Sequence, residues 1–182
     1  ETNVGFLRRI VDDGSVAAVF CKMLPYDGTP IKETLMAQGR FNGDVCNPDY
    51  DFLDPRIARC YEAIGRTVGE WVRGSDCVAA MINHASHEVF VMERLFEPGA
   101  DLVAYKTALS AVTKFSNNIL FSVVEEICDG FREGGGECQQ YSGLGQIREQ
   151  ILATLVQQRN RFVYENQSWL LKGISKQTLV TA

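Results

Sequence analysis

The stretch that decides the fold is residues 101–127, DLVAYKTALSAVTKFSNNILFSVVEEI. Apolar residues recur in it at the three- and four-residue spacing of an α-helix. These positions are Leu102, Tyr105, Leu109, Val112, Phe115, Ile119, Val123 and Ile127. Five more apolar residues widen the stripe around the helix: Ala108, Ala111, Leu120, Phe121 and Val124. A helix that is hydrophobic nearly all round is buried among others, so this segment predicts the centre of a bundle.

Helical patterns also occupy most of the chain on both sides of this segment. Asp54-Pro55 places an N-cap residue before a first-turn proline, so a helix is expected to begin there. No run with strand-like alternation competes with the helical patterns. The expected helices lie around residues 3–24 with a break near Gly14, 55–74, 76–97, 101–127, 144–155 and 162–174. The sequence therefore predicts one all-α domain over residues 1–182, with seven to eight helices around the central one.

One long connection interrupts the helices. Four of the five prolines lie between residues 25 and 55, together with several glycine, asparagine and aspartate residues. This concentration of helix-breaking and turn-forming residues predicts a long irregular loop over residues 25–53. Because a loop of this kind forms few regular backbone hydrogen bonds, we expect residues 26–51 to be the least protected part of the chain.

Composition narrows the classes of function. The chain has 182 residues, of which 46% are hydrophobic and 23% charged, with a net charge of −5. This is the composition of an ordinary soluble domain, and an acidic chain without a basic cluster is a poor match for nucleic acid. No stretch approaches the roughly 18 apolar residues of a membrane span, and residues 1–4 do not resemble a signal peptide. The first residue is not Met, so a membrane anchor is expected only at a terminus that this chain lacks.

The cysteines indicate reduced thiols and a cytoplasmic protein. Their spacing fits neither a zinc site nor a CxxC redox motif, and a chain of this length needs no disulfide framework. The six are Cys21, Cys46, Cys60, Cys77, Cys128 and Cys138.

No motif in the sequence indicates an enzyme active site. Residues 84–88 place two histidines and Glu88 as HxxHE, which reverses the order of the zinc-binding HExxH motif. We expect them at a partly exposed helix N-terminus. Glu125, Glu126 and Asp129 are expected at the solvated C-terminal end of a helix, and the glycine run 134–136 as a linker without a phosphate-binding lysine. We therefore predict no catalytic residue, metal ligand or cofactor.

Two segments carry a more specific pattern. In residues 57–68 the apolar residues are spaced by four, three and four, with a glycine after the third. This set is Ile57, Tyr61, Ile64, Gly65 and Val68. In residues 161–169, Phe162 and Trp169 flank a mostly polar stretch. By themselves, the first pattern fits any amphipathic helix and the second fits aromatic anchors of a terminal helix pair.

Taken in order, these segments resemble the Bcl-2 family of apoptosis regulators. Residues 57–68 resemble its BH3 segment, and residues 161–169 resemble its BH2 segment. Residues 90–99, which end in Leu-Phe-Glu-Pro-Gly, look like the helix that precedes BH1. The long helix from residue 101 then takes the place of the family's central helix, and residues 25–53 take the place of its long first connection. The resemblance implies a Bcl-2-like helical bundle.

The chain departs from the family at positions that concern ligand choice. Where BH1 has Asn-Trp-Gly-Arg, this chain has Asp101 to Ala104, so the arginine is replaced by alanine. The aspartate of the BH3 segment is Arg66, and the Gly-Gly pair of BH2 is Gln167-Ser168.

The resemblance implies an apolar surface groove formed among the second to fifth helices. In that groove an amphipathic BH3 helix of a partner would bind. Candidate lining residues are Trp71, Val72, Phe90, Val91, Arg94, Leu95, Asp101, Ala104 and Tyr105. Because Ala104 stands in place of the BH1 arginine, a ligand's aspartate is expected to be solvated or to meet Arg94 or Lys106.

The implied partners are BH3-containing proteins, with a homodimer left open, and the implied role is to restrain permeabilisation of the mitochondrial outer membrane. The protein is thus expected in the cytoplasm and at that membrane. Two alternatives stand beside this hypothesis. One is a Bcl-2-shaped interaction protein without BH3 binding, such as a virus-encoded inhibitor of innate signalling, and the other is a pro-apoptotic, pore-forming member.

Overall fold

A computed structural model shows an all-helical protein, as the sequence predicts. The structure describes residues 2–96, 99–133, 141 and 143–178. Within these residues there are seven helices and no extended strand. They are α1 (Thr2–Ile10), α2 (Pro30–Ala37), α3 (Pro55–Val72), α4 (Val78–Leu95), α5 (Ala100–Arg132), α6 (Leu144–Glu165) and α7 (Gln167–Thr178). None of the helices in the described part of the chain is long and apolar enough to span a membrane.

The fold is organised around α5. This helix has 33 residues and is therefore about 50 Å long, and it contacts α1, α3, α4 and α6. Around its N-terminal half the end of α3, α4 and α6 form one hydrophobic cluster, in which Ile82 is fully buried. Around its C-terminal half α1 and the middle of α3 form a second cluster, in which Phe121 is buried. The apolar circumference of α5 is thus covered by different helices along its length.

The starts of two helices show why they begin where they do. The Asp54 carboxylate accepts a hydrogen bond from the backbone N–H of Arg56 at 2.9 Å, and Pro55 occupies the first helical position of α3. This confirms the start predicted from the sequence. The Cys77 sulfur accepts a hydrogen bond from the backbone N–H of Ala80 at 3.3 Å and so caps α4. Residues 78–95 form one helix rather than two.

The first helix is shorter than predicted. A helical segment was expected over residues 3–24 with a break near Gly14, and α1 has only nine residues. The helix α1 ends at Ile10, and residues 15–26 run without regular secondary structure. The Asn117 side chain holds this segment on α5. Its Oδ1 accepts from the N–H of Ala18 at 2.8 Å, and its Nδ2 donates to the carbonyl oxygen of Val16 at 2.9 Å. A side chain that satisfies backbone groups in this way replaces the hydrogen bonds that a helix would have made.

The expectation of an irregular loop over residues 25–53 is also wrong in part. A helix, α2, lies inside it, with Leu35 only 1% exposed. Residues 40–51 then fold back on themselves through an antiparallel bridge between Phe41 and Tyr50. The backbone N–H of Asp51 donates to the carbonyl oxygen of Arg40 at 2.8 Å. A buried anchor and a short hairpin-like turn therefore order a segment whose prolines and glycines suggested only a loop.

We predict that Asn117→Ala destabilises the protein by about 1–3 kcal/mol, because it leaves the buried N–H of Ala18 and the part-buried carbonyl oxygen of Val16 without this partner. The matched control is Asn118→Ala, since Asn118 is the exposed neighbour on the same helix. Urea unfolding of the two variants measures the difference. Equal stability of both variants would show that the segment around Val16 and Ala18 is held by something other than Asn117.

Candidate functional site

A groove runs along the surface between α5 and α6. It has two adjoining parts with volumes of about 350 and 380 Å³. Ala108 and Gln158 line both parts, so the parts form one continuous depression. The other lining residues of the first part are Asp101, Ala104, Tyr105, Arg161, Phe162, Glu165 and Asn166. Those of the second part are Ala111, Val112, Phe115, Gln150, Ile151 and Thr154.

Small side chains on α5 keep this groove open. Ala104, Ala108 and Ala111 follow one another at intervals of four and three, which places them on one side of the helix. Ala104 and Ala111 are exposed, and Ala108 is half-buried. Phe115 lies at the far end of this stripe and is 52% exposed. The side of the groove formed by α5 is therefore apolar, and its small side chains allow the backbone of another chain to approach closely.

Aromatic stacking forms the wall at the N-terminal end of α5. The Tyr105 and Phe162 rings stack with centroids 4.7 Å apart and an interplanar angle of 12°. Trp169 packs edge-on against Phe162 at 6.2 Å and against Phe96 at 5.1 Å. The Trp169 ring also lies beside Gly99, at the distance of an ordinary van der Waals contact from where a Cβ would be. This packing confirms that Phe162 and Trp169 are anchors of the last helix pair.

Tyr105 is buried, and its phenol interacts electrostatically with Glu88 of α4 and Arg159 of α6. Burial raises the pKa of its phenol, and the nearby Glu88 carboxylate raises it further, whereas Arg159 opposes the rise. Arg159 forms a two-pronged ion pair with Glu88, with N–O distances of 2.6 and 2.8 Å. This pair raises the pKa of the Arg159 guanidinium. Tyr105 therefore stays neutral at physiological pH and acts as a packing surface.

Polar groups line the rim of the groove. Arg161 and Glu165 form an exposed ion pair at 2.9 Å beside Asp101 and Ala104. Gln158, where the two parts join, has a buried side-chain oxygen, Oε1, without a hydrogen-bond partner in the described part of the chain. A buried acceptor without a partner costs free energy. The lining of the groove therefore includes one arginine and several uncharged and acidic polar side chains as well as apolar surface.

Three of the nine predicted groove residues come together here: Asp101, Ala104 and Tyr105. The two residues predicted at the end of α3 are placed differently. Trp71 belongs to the core around α4 and lines neither part of this groove. Val72 is half-buried and packs against both hydrophobic clusters.

The other four predicted groove residues, Phe90, Val91, Arg94 and Leu95, lie in the last turns of α4. Phe90 and Leu95 are half exposed, and the Arg94 guanidinium lies over the Phe90 ring at 4.7 Å. Lys106 of α5 pairs with Glu93 of α4 at 2.6 Å. Neither of the two cations that were expected to meet a ligand's aspartate, Arg94 and Lys106, lines the groove between α5 and α6.

The BH3-like segment packs against the bundle over part of its length. Val68 is buried in the cluster around the C-terminal half of α5, with Ile64 packed against it. Tyr61 is half-buried, and Ile57, nearest the start of α3, is 51% exposed. Gly65 faces the end of the Arg73 side chain. The four-three-four spacing of the apolar residues therefore reflects the packing of α3 against α5.

The remaining polar clusters have structural roles. His84 and His87 are exposed in the middle of α4, so their predicted place at a helix N-terminus is wrong. Glu125 lies in α5 two turns before its end and pairs with Arg8 of α1 at 2.6 Å. In the described part of the chain no group of His, Cys, Asp and Glu side chains could hold a metal ion. The glycine run 134–136 lies outside the described residues.

A second cavity, of about 960 Å³, was not predicted from the sequence. It lies between the extended segment at Lys22, the hairpin at residues 46–52 and the start of α3. The Lys22 ammonium pairs with Asp49 at 2.5 Å and lies 4.4 and 4.8 Å from the ring centroids of Tyr50 and Phe52. This contact lowers the pKa of the Asp49 carboxyl. The lysine therefore stabilises the hairpin, and nothing in its local sequence indicated this role.

Comparison with protein-family models, with curated proteins and with solved structures finds no match for this chain.

We predict that Phe162→Ala costs about 3–5 kcal/mol of stability, because it removes a buried ring that stacks on Tyr105 and supports Trp169. Tyr164→Ala is the matched control, since Tyr164 lies two residues away on the same helix and is 77% exposed. Thermal melts should show a large loss for the first variant and almost none for the second. Equal melting temperatures would show that the aromatic cluster does not hold α6 and α7 on the bundle.

Proposed function

We propose that this protein regulates apoptosis by binding a BH3 helix of a pro-apoptotic partner in the groove between α5 and α6. The observation that carries the proposal is the continuous alanine-lined groove, which runs from Asp101 to Phe115. The proposal also rests on the resemblance of the segments around Ile57 and Trp169 to those of the Bcl-2 family. By holding such helices the protein would restrain permeabilisation of the mitochondrial outer membrane.

The length of the groove suits a short helix. Asp101 and Phe115 are 14 positions apart on α5, a rise of about 21 Å, or about four helical turns. A helix of that length presents apolar residues at positions i, i+3, i+4 and i+7 to a hydrophobic groove. Val112 and Ile151 provide apolar surface in the second part of the groove, and Tyr105 and Phe162 provide it in the first. These surfaces match the two ends of one amphipathic helix.

The charge at the groove suits a ligand that carries a carboxylate. Arg161 lines the same part of the groove as Ala104, the position that corresponds to the BH1 arginine. Its partner Glu165 is four residues away on the same exposed face, a pairing that contributes little in water. Arg161 can therefore turn to an incoming aspartate at small cost. It replaces Arg94 and Lys106 as the cation that we expect the ligand to meet.

We predict that Ala104→Trp weakens binding of a synthetic BH3 peptide at least about tenfold, because the ring fills space that the ligand's backbone needs. Isothermal titration with a panel of such peptides measures the affinity. The matched control is Val103→Trp, since Val103 is the adjacent residue on α5, is 67% exposed and does not line the groove. Equal loss in both variants would place the binding site elsewhere.

The same titrations decide between the proposal and its alternatives. If no peptide of the panel binds at tens of micromolar, the proposal is wrong, and the chain is an interaction protein with some other ligand. Isolated mitochondria treated with a BH3 peptide test the direction of the effect. Added protein should reduce permeabilisation, and an increase would indicate a pore-forming member.

We predict that Arg161→Ala weakens peptide binding about fivefold, the scale of a partly exposed ion pair. The matched control is Arg132→Ala, since Arg132 forms a similar exposed ion pair with Asp129 at the far end of α5. Replacing the peptide's aspartate with alanine should remove the difference between the wild type and Arg161→Ala. If that difference persists with the altered peptide, Arg161 does not meet the ligand's aspartate.

A further inference from the structure

Two cysteines that are far apart in the sequence meet between α3 and α5. The Sγ atoms of Cys60 and Cys128 are 3.7 Å apart, although the residues are separated by 68 positions. Both side chains are half-buried, at the edge of the hydrophobic cluster that surrounds the C-terminal half of α5. One thiol donates its hydrogen to the other sulfur, so the pair is in direct contact in the reduced protein.

We propose that Cys60 and Cys128 form a reversible intramolecular disulfide that locks α3 onto α5. The sulfur atoms of a disulfide are about 2.05 Å apart, so the two sulfur atoms have to approach each other by about 1.7 Å. The surrounding residues position both thiols before oxidation, since each belongs to a helix already packed on the other through Ile64, Val68 and Val124. This proposal does not depend on the ligand of the α5–α6 groove.

The chemistry requires a two-electron oxidant, for which we name oxidised glutathione. One cysteine loses its proton, and its thiolate attacks a sulfur of the glutathione disulfide, which releases one glutathione thiolate. The thiolate of the second cysteine then attacks the protein sulfur of this mixed disulfide and releases the second glutathione. The two released thiolates take up the two protons. Two protein thiols are oxidised, and one glutathione disulfide is reduced to two glutathiones.

The neighbouring cysteines show why this pair stands apart. Cys77 is buried and caps α4, whereas Cys21 and Cys46 are exposed on the rim of the large cavity near Lys22. In a compartment kept reducing by glutathione, Cys60 and Cys128 stay as thiols. As the proportion of oxidised glutathione rises, the crosslink forms and closes a loop of 68 residues. The stability of the bundle then depends on the thiol redox balance.

The test uses the full chain with Cys21→Ser, Cys46→Ser and Cys138→Ser, which leaves the buried Cys77 as the one thiol besides the pair. The protein is incubated in its native state with oxidised glutathione, alkylated with iodoacetamide and digested with trypsin. Residues 60–66 and 115–132 are tryptic peptides that each contain one cysteine of the pair. Mass spectrometry should detect them linked by a disulfide that dithiothreitol removes.

Oxidation should also raise the melting temperature, by about 5–15 °C for a loop of this size in a domain of this length. The rise in melting temperature on oxidation should be absent when Cys60→Ser or Cys128→Ser is added to the same background. Testing both variants separates the loss of the disulfide from any destabilisation that one substitution causes by itself. Glutathione adducts on either cysteine without the linked peptides would overturn the proposal. Linkage that appears only after unfolding in urea would overturn it as well.

Discussion

The burial of α5 is the constraint on which the rest of the structure depends. Several faces of this 33-residue helix are apolar and must be covered by other helices, while Thr107, Lys114, Asn118 and Ser122 form an exposed polar face. Its N-terminal half is covered by α4 and α6, and its C-terminal half by α1 and α3. Where this cover is incomplete, along Ala104, Ala108 and Ala111, the surface keeps a groove.

The polar side chains inside the bundle are used to hold segments in place. Asn117, buried on α5, binds the backbone of the extended segment at Val16 and Ala18. Thr113, which is fully buried, donates its hydroxyl to the carbonyl oxygen of Leu109 and so needs no partner outside its own helix. The Glu88–Arg159 pair joins α4 to α6 beside Tyr105. The contacts of Asn117 and Thr113 satisfy polar groups that would otherwise be costly to bury, whereas the Glu88–Arg159 pair is partly exposed to solvent.

The groove and the cysteine pair depend on opposite features of the packing around α5. The groove depends on small side chains that leave α5 partly uncovered, and it lies on the side of α6. The Cys60–Cys128 contact depends on close packing of α3 against α5 at the other end of the long helix. Ligand binding and oxidation are therefore assigned to different surfaces, and each can be altered without the other.

The sequence by itself determined the helical class, the central position of α5, the start of α3 and the aromatic anchors Phe162 and Trp169. These follow from local spacing and capping, which a single helix expresses in its own residues. Only the tertiary structure decided that Trp71 is core, that residues 15–26 are extended and that Leu35 anchors a helix within a predicted loop. It also decided that Asp101, Ala104 and Tyr105 line a groove with α6, apart from Phe90 and Leu95. The physical reason is that periodicity shows which residues share a face of one helix, whereas the neighbouring element decides whether that face is buried, open or bonded.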